Sequence, residues 1–138
     1  MIKFKILIPV FNDWESLNVL LNKIDNEVSS IKATFSILIV NDASTIRMPS
    51  NFTNYKNIES VIVLNMKKNQ GVNKTNASGI IYLSKNPDFD YLILMDADGE
   101  DRPEELQKLI KKTLETKTVS IVAKRVKRSE PLLFSNII

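Results

Sequence analysis

The 138-residue chain contains no cysteine and no histidine. The first absence excludes a disulfide scaffold and any thiolate nucleophile or metal ligand; the second excludes imidazole bases and ligands. Carboxylates must therefore do any acid chemistry these residues perform. Glycine, at three residues, and proline, at five, are too sparse for a fibrous or disordered chain. Charge of one sign is not in large excess either. A net charge of +3 permits an anionic ligand or a nearby anionic membrane, and gives no support to nucleic acid as a partner. Long apolar runs are missing as well. The opening segment MIKFKILIP gives way to Asn12 and Asp13 too soon for a signal peptide or a spanning helix. Residues 131–138 are apolar but far shorter than a membrane span, and read as an interrupted element. The expectation is a cytoplasmic protein with at most peripheral association at the inner face of the membrane.

What is present is enough apolar material, 43% of residues, for one continuous core, and no room for a second full domain. Short runs rich in β-branched and aromatic residues at 2–10, 35–40, 58–64, 91–95 and 119–123 each end near Asn, Asp or a basic residue, as buried parallel strands do. Between the first two, Trp14, Leu17, Leu20, Leu21, Ile24, Val28 and Ile31 recur at helical spacing, with Asp13 placed to cap the helix. A second helix is expected over about 70–83. A third is expected to open at residues 101–104, where Asp101 as N-cap, Pro103 and Glu104 form a capping-box signature ahead of Leu106, Leu109, Ile110 and Leu114. Residues 43–57 read as a loop. Strands alternating with helices predict an α/β domain, residues 1–138, with a mostly parallel sheet flanked by helices.

In such a sheet, ligands bind beyond the carboxyl ends of the strands. Residues 9–13 follow the first strand, 41–44 the second and 96–101 the fourth, so three clusters of acid and amide converge on one edge. Asp96 and Asp98 are two residues apart at a strand exit and can both turn toward one hard cation, Mg2+ or Mn2+, with Gly99 allowing a sharp turn afterwards. The competing account is that both carboxylates only cap the turn and the helix after it. Asp42 can accept from a ring N–H or a ribose hydroxyl, although NDAS is also good turn chemistry. Pro9 and Phe11 carry the same ambiguity, Pro9 as strand punctuation and Phe11 as a core residue. Residues 69–79 open the second helix with small and amide residues, and Lys74, one turn in, can approach a phosphate. No Walker loop and no dinucleotide-binding G-x-G-x-x-G occurs. A basic run, Lys124, Arg125, Lys127 and Arg128, follows the last expected strand, where Arg125 can grip a diphosphate or an anionic acceptor; the plain alternative is a solvated surface.

Taken in order, these segments resemble the family 2 glycosyltransferases of GT-A fold. ILIPVFND at 6–13 is similar to the family's opening strand and P-x-[YF]-N-[ED] turn, and IVNDAST at 39–45 to its V-D-D-x-S-T. Asn69, Gly71, Asn76 and Gly79 resemble its N-x-G segment pair. LMDADGEDRPE at 94–104 resembles the D-x-D block that precedes a P-E helix start. Asn41 departs from the pattern, standing where the family usually has the first Asp of its pair. The resemblance implies that Pro9, Val10, Phe11, Asp13 and Asp42 line a nucleoside pocket, that Asp96 lies near ribose and sugar, and that Asp98 binds the metal.

The DADGED-x-PE form and the basic block after it resemble the branch that transfers sugars to polyprenyl phosphate. The implied function is an inverting, metal-dependent transfer from a UDP- or GDP-sugar to a polyprenyl phosphate or a glycan acceptor, as in cell-envelope polysaccharide biosynthesis. The acceptor-side region and its catalytic base are not visible in these residues, so the domain reads as lacking that C-terminal part and no base is assigned. One rival is a non-catalytic module using the same pocket to hold a nucleotide sugar or a partner protein. Another is a phosphoacceptor signalling domain, for which residues 9–13 do not supply the acidic cluster needed after the first strand.

Overall fold

The computed structural model describes residues 1–50, 52 and 54–116. The expected fifth strand at 119–123, the basic run with Arg125, and residues 131–138 lie outside the described residues. The chain divides into two compact units, Met1–Gln107 and Lys108–Ile138. The first holds the sheet; the described part of the second continues a helix.

Four strands form, β1 (Lys3–Val10), β2 (Thr34–Asn41), β3 (Ile58–Asn65) and β4 (Tyr91–Leu94), each within a residue of its expected limits. Their order is β3-β2-β1-β4 and all three pairings are parallel. Helix α1 (Trp14–Glu27) links β1 to β2 and α2 (Val72–Ser84) links β3 to β4. The α/β class with a parallel sheet and flanking helices is therefore as expected. The described residues of the 43–57 segment, between β2 and β3, form no helix or strand, as expected of a loop.

Side chains of β1 alternate between two buried faces. Leu7 joins Leu38, Val40 and Leu83 in a cluster under α2. Phe4, Ile6, Ile8 and Val10 point the other way, where Phe4 lies between Phe35 and Tyr91 with ring centroids 5.3 and 5.2 Å away. The stripe of α1, from Trp14 through Leu17, Leu21 and Ile24 to Val28, is buried, as its spacing predicted. That helix ends earlier than the apolar pattern runs. Val28–Ser30 form a 3-10 turn, with the Ser29 hydroxyl donating to the Asn26 carbonyl, and Ile31 is already extended.

The start of the third helix needs correction. Pro103–Glu105 form a 3-10 turn, and α3 proper spans Leu106–Thr116. Arg102 occupies the cap position without a side-chain bond, while the Asp101 carboxylate instead accepts the amide proton of Asp96 at 2.7 Å. The competing hydrogen bond is local, which is why sequence pattern alone assigned Asp101 to the helix. Leu106 and Ile110 are buried as expected, but Leu114 is 37% exposed.

Two polar ties brace the frame. Asp25, buried on α1, accepts from the backbone amides of Lys56, Asn57 and Ile58 at 3.2, 2.7 and 3.0 Å, and so fixes where β3 begins. At the opposite edge Lys3 Nζ lies 2.6 Å from the Asp88 carboxylate. That bond raises the Lys3 pKa and lowers that of Asp88; both are solvated, so the pair sets register more than stability. Among the described residues no helix is long and apolar enough to cross a membrane.

Gly79 is where α2 comes closest to the sheet. A Cβ there would sit 2.5 Å from Leu7 Cδ1 and 2.9 Å from Val40 Cγ2. Alanine in an exposed helix position gains up to about 1 kcal/mol over glycine, but overpacking a core typically costs about 1–3 kcal/mol. Gly79→Ala is therefore expected to lower stability in a denaturant titration, whereas a helical glycine facing solvent would show a gain.

Candidate functional site

The parallel register delivers all four described strand exits to one edge. Val10 pairs with Asn41, and Asn41 with Asn65. Leu7 pairs with Leu94, and the Met95 amide donates to the Leu7 carbonyl at 3.1 Å. β4 thus leaves the sheet while β1 still has three residues to run, and by continuation of that register Asp96 emerges level with Pro9.

Loops after β1 and β2 are locked together by amide chemistry. Asn12 Oδ1 accepts from the backbone amides of Thr45 and Ile46 at 2.8 and 2.9 Å, and the Asn12 amide donates to Ser44 Oγ at 2.8 Å. Asn12 (φ 60°) and Ala43 (φ 58°) are the positive-φ positions outside glycine among the described residues. Each is disfavoured by about 1–2 kcal/mol for an L-residue, less so for Asn, and such strain concentrates where a surface is held for binding. Asn41 contributes from beneath, donating to Asn65 Oδ1 at 2.8 Å and accepting from the Ser44 amide at 3.0 Å. Both ends of its amide are thereby used in the turn, a neutral role in the place where the family pattern has a carboxylate.

Asp42 is 4% exposed and holds the centre of the edge. Its Oδ1 accepts from the Gln70 amide at 2.8 Å and its Oδ2 from the Gly71 amide at 2.9 Å. The Asp42 amide in turn donates to the Val10 carbonyl at 2.9 Å. One carboxylate therefore joins the β2 exit to the start of α2, a structural duty the sequence did not disclose. Only the turn chemistry of NDAS hinted that Asp42 had work besides ligand contact.

The Asp96–Asp101 segment is a tight, self-bonded turn. The Glu100 amide donates to Asp98 Oδ1 at 2.9 Å, and Gly99 adopts φ 84°, the left-handed region that favours glycine. Asp98 is exposed, and the Glu100 bond engages its Oδ1. Part of the capping account is therefore correct, since Asp98 does close a turn. The bond also orients its carboxylate. Among the described residues no three carboxylates gather closely enough to make a metal cage. A hard cation on Asp98, with Asp96 beside it, would complete its shell with water and phosphate oxygens, as Mg2+ usually does.

The other expected residues fall as follows. Phe11 is 47% exposed at the end of β1, so of the two readings open for it the core one does not hold. Asp13 caps α1, accepting from the Ser16 amide at 3.1 Å, and remains exposed. Pro9 is half-buried, whereas the Val10 side chain is 4% exposed and meets the edge through its carbonyl. Lys74 lines a groove at the β3 exit, with Lys67 and Lys68. The helical spacing of Trp14 marks it only as core, yet its indole N–H donates to the Ile46 carbonyl at 2.8 Å and anchors the loop that Asn12 organises.

Comparison with known proteins adds the following. A family model, Glycosyl transferase family 2, matches residues 5–136. An uncharacterized glycosyltransferase of Synechocystis sp. is 26% identical over 130 residues, covering 94% of this chain and 40% of its own length. The undecaprenyl-phosphate 4-deoxy-4-formamido-L-arabinose transferase of Proteus mirabilis is 28% identical over 110 residues, covering 78% and 32%. The dolichol-phosphate mannosyltransferase of Pyrococcus furiosus is 28% identical over 125 residues, covering 91% and 34%. The chain thus spans between 32% and 40% of the length of these relatives.

The clamp at Asp42 is directly testable. Asp42→Asn keeps the shape but turns one acceptor into a donor facing a backbone N–H, and hydrogen bonds to charged groups are worth about 1.5–3 kcal/mol. A stability loss of about 2 kcal/mol is expected, with faster hydrogen exchange at the Gln70 and Gly71 amides. A carboxylate that served only a ligand would leave that exchange unchanged.

Proposed function

The chain belongs to glycosyl transferase family 2, and from that premise we propose that its strand-exit edge binds the donor of an inverting, metal-dependent transfer of sugar from a nucleoside-diphosphate sugar to a polyprenyl phosphate. The observation that carries this reading is the shared edge itself: exposed Phe11, the Asp42 clamp and the Asp96–Asp98 turn leave adjacent strands at one level.

In this reading Phe11 offers an exposed aromatic face to the base, which gains most from flat apolar contact. The loop held by Asn12 fixes the wall beside it. Asp98, whose Oδ1 accepts from the Glu100 amide, would hold the cation, with Asp96 two residues nearer the sheet. When bound, that ion neutralises charge building on the departing diphosphate. The acceptor oxygen forms its bond to the anomeric carbon from the face opposite the breaking bond, so the configuration inverts.

A polyprenyl phosphate is favoured as acceptor on two grounds. Relatives from Proteus mirabilis and Pyrococcus furiosus are named for undecaprenyl phosphate and dolichol phosphate. A phosphate acceptor is also already an anionic nucleophile, so its attack needs no strong base.

Asp98→Asn separates the turn from the metal, because an amide oxygen can still accept the Glu100 N–H. In calorimetric titrations with UDP- and GDP-sugars, metal-dependent affinity is expected to fall by at least about tenfold, the lower end of what losing even an outer-shell partner does, with the circular dichroism unchanged. Equal affinity in the variant would sink the donor reading.

A further inference from the structure

We propose that the groove at the β3 exit is a docking site for the phosphate headgroups of an anionic membrane surface. Met66, Lys67, Lys68, Gln70, Lys74 and Ser78 are among the residues around its volume of about 540 Å³, within the span of ligand-sized sites. No carboxylate lines it. Among the described residues none of its three lysines takes part in an ion pair. Three lysines and no carboxylate line one open groove, and an anion is the occupant that such a lining suits. Lysine acts on phosphate as a point charge, and Gln70 and Ser78 add neutral donors.

Position separates this groove from the Asp96–Asp98 turn, although Gln70, which lines it, also donates its backbone amide to Asp42. β3 and β4 are opposite edges of the described sheet, three strand spacings apart and so roughly 14 Å from one another. The basic groove and the acidic Asp96–Asp98 turn share no side chain. The proposal stands whether or not the donor reading does.

The apolar surroundings favour a lipid surface over a free phosphate. Ile62 pairs with Leu38, whose side chain lies in the cluster under α2, so Ile62 is on the α2 face of the sheet, and it is 43% exposed. Ile81 follows Ala77 and Ser78 by four and three residues, hence on the same side of α2 as the groove, and is 59% exposed. Exposed isoleucines on the same face as a lysine-lined groove make the kind of mixed surface that settles at an anionic lipid interface.

The test uses the full chain with phosphatidylcholine vesicles, with and without phosphatidylglycerol, in cosedimentation. Binding is expected only to the anionic vesicles, to weaken with salt, and to fall about tenfold or more in Lys67→Glu/Lys68→Glu, since each basic residue near such a surface is a several-fold effect. The double variant should keep its nucleotide-sugar affinity by calorimetry, which distinguishes loss of this site from loss of the donor site. Unchanged vesicle binding in the variant, equal binding to neutral vesicles, or binding only of pyrophosphate in the presence of chelator would each overturn the proposal.

Discussion

The buried carboxylate of Asp42, accepting two backbone amides at 2.8 and 2.9 Å, is the interaction on which the candidate site depends. A parallel sheet brings strand ends to one level but does not hold the loops that leave them, because those loops have no ladder of their own. Asp42 supplies the missing tie between the β2 exit and the α2 start, and through its own amide reaches back to the Val10 carbonyl of β1. Taking a carboxylate out of water is expensive unless donors replace the water, and two amides do so here. The same geometry settles what Asp42 does first. Any contact it makes with a ligand is made by a group already held in place.

Asn12 performs the matching task one strand over. Its left-handed backbone would be unfavourable by itself, yet its side-chain oxygen accepts hydrogen bonds from the Thr45 and Ile46 amides, and Trp14 donates another to the Ile46 carbonyl from the core side. The strain is thus offset locally, and the loop beside exposed Phe11 is fixed before any ligand arrives. Preorganisation of this kind lowers the ordering that binding would otherwise require.

How much of this was legible in sequence follows from the range of the interactions. The four described strands and the buried stripe of α1 are written as periodicity, so their positions were readable to within a residue or so. Asp13 as a cap was equally readable, since its partner Ser16 is three residues away. The Asp25 clamp on residues 56–58 and the Asp42 clamp on 70–71 join side chains to backbone about 30 residues distant, and no local pattern announces such a bond. Asp101 failed in the opposite sense. Its sequence matches a capping box, but a competing donor, the Asp96 amide, lies five residues back and takes the carboxylate first.

Charge is unequally distributed along the edge, and that asymmetry bears on how a transfer to a lipid phosphate could be arranged. Both substrates of such a reaction are anions, and two anions approach each other only where positive charge offsets their repulsion. At the β4 end the carboxylates of Asp96 and Asp98 would be repulsive to a diphosphate by themselves, so that end is suited to its ligand only together with a cation. At the β3 end three lysines, in no ion pair among the described residues, already carry the positive charge. A site that needs a cation binds its anion conditionally, while a lysine-lined groove binds at all times and is tuned only by salt. Under the proposed function the two ends would divide the work: the first would hold a reactive diphosphate for one turnover, the second would keep a steady attachment to an anionic surface from which a lipid-borne acceptor can be met.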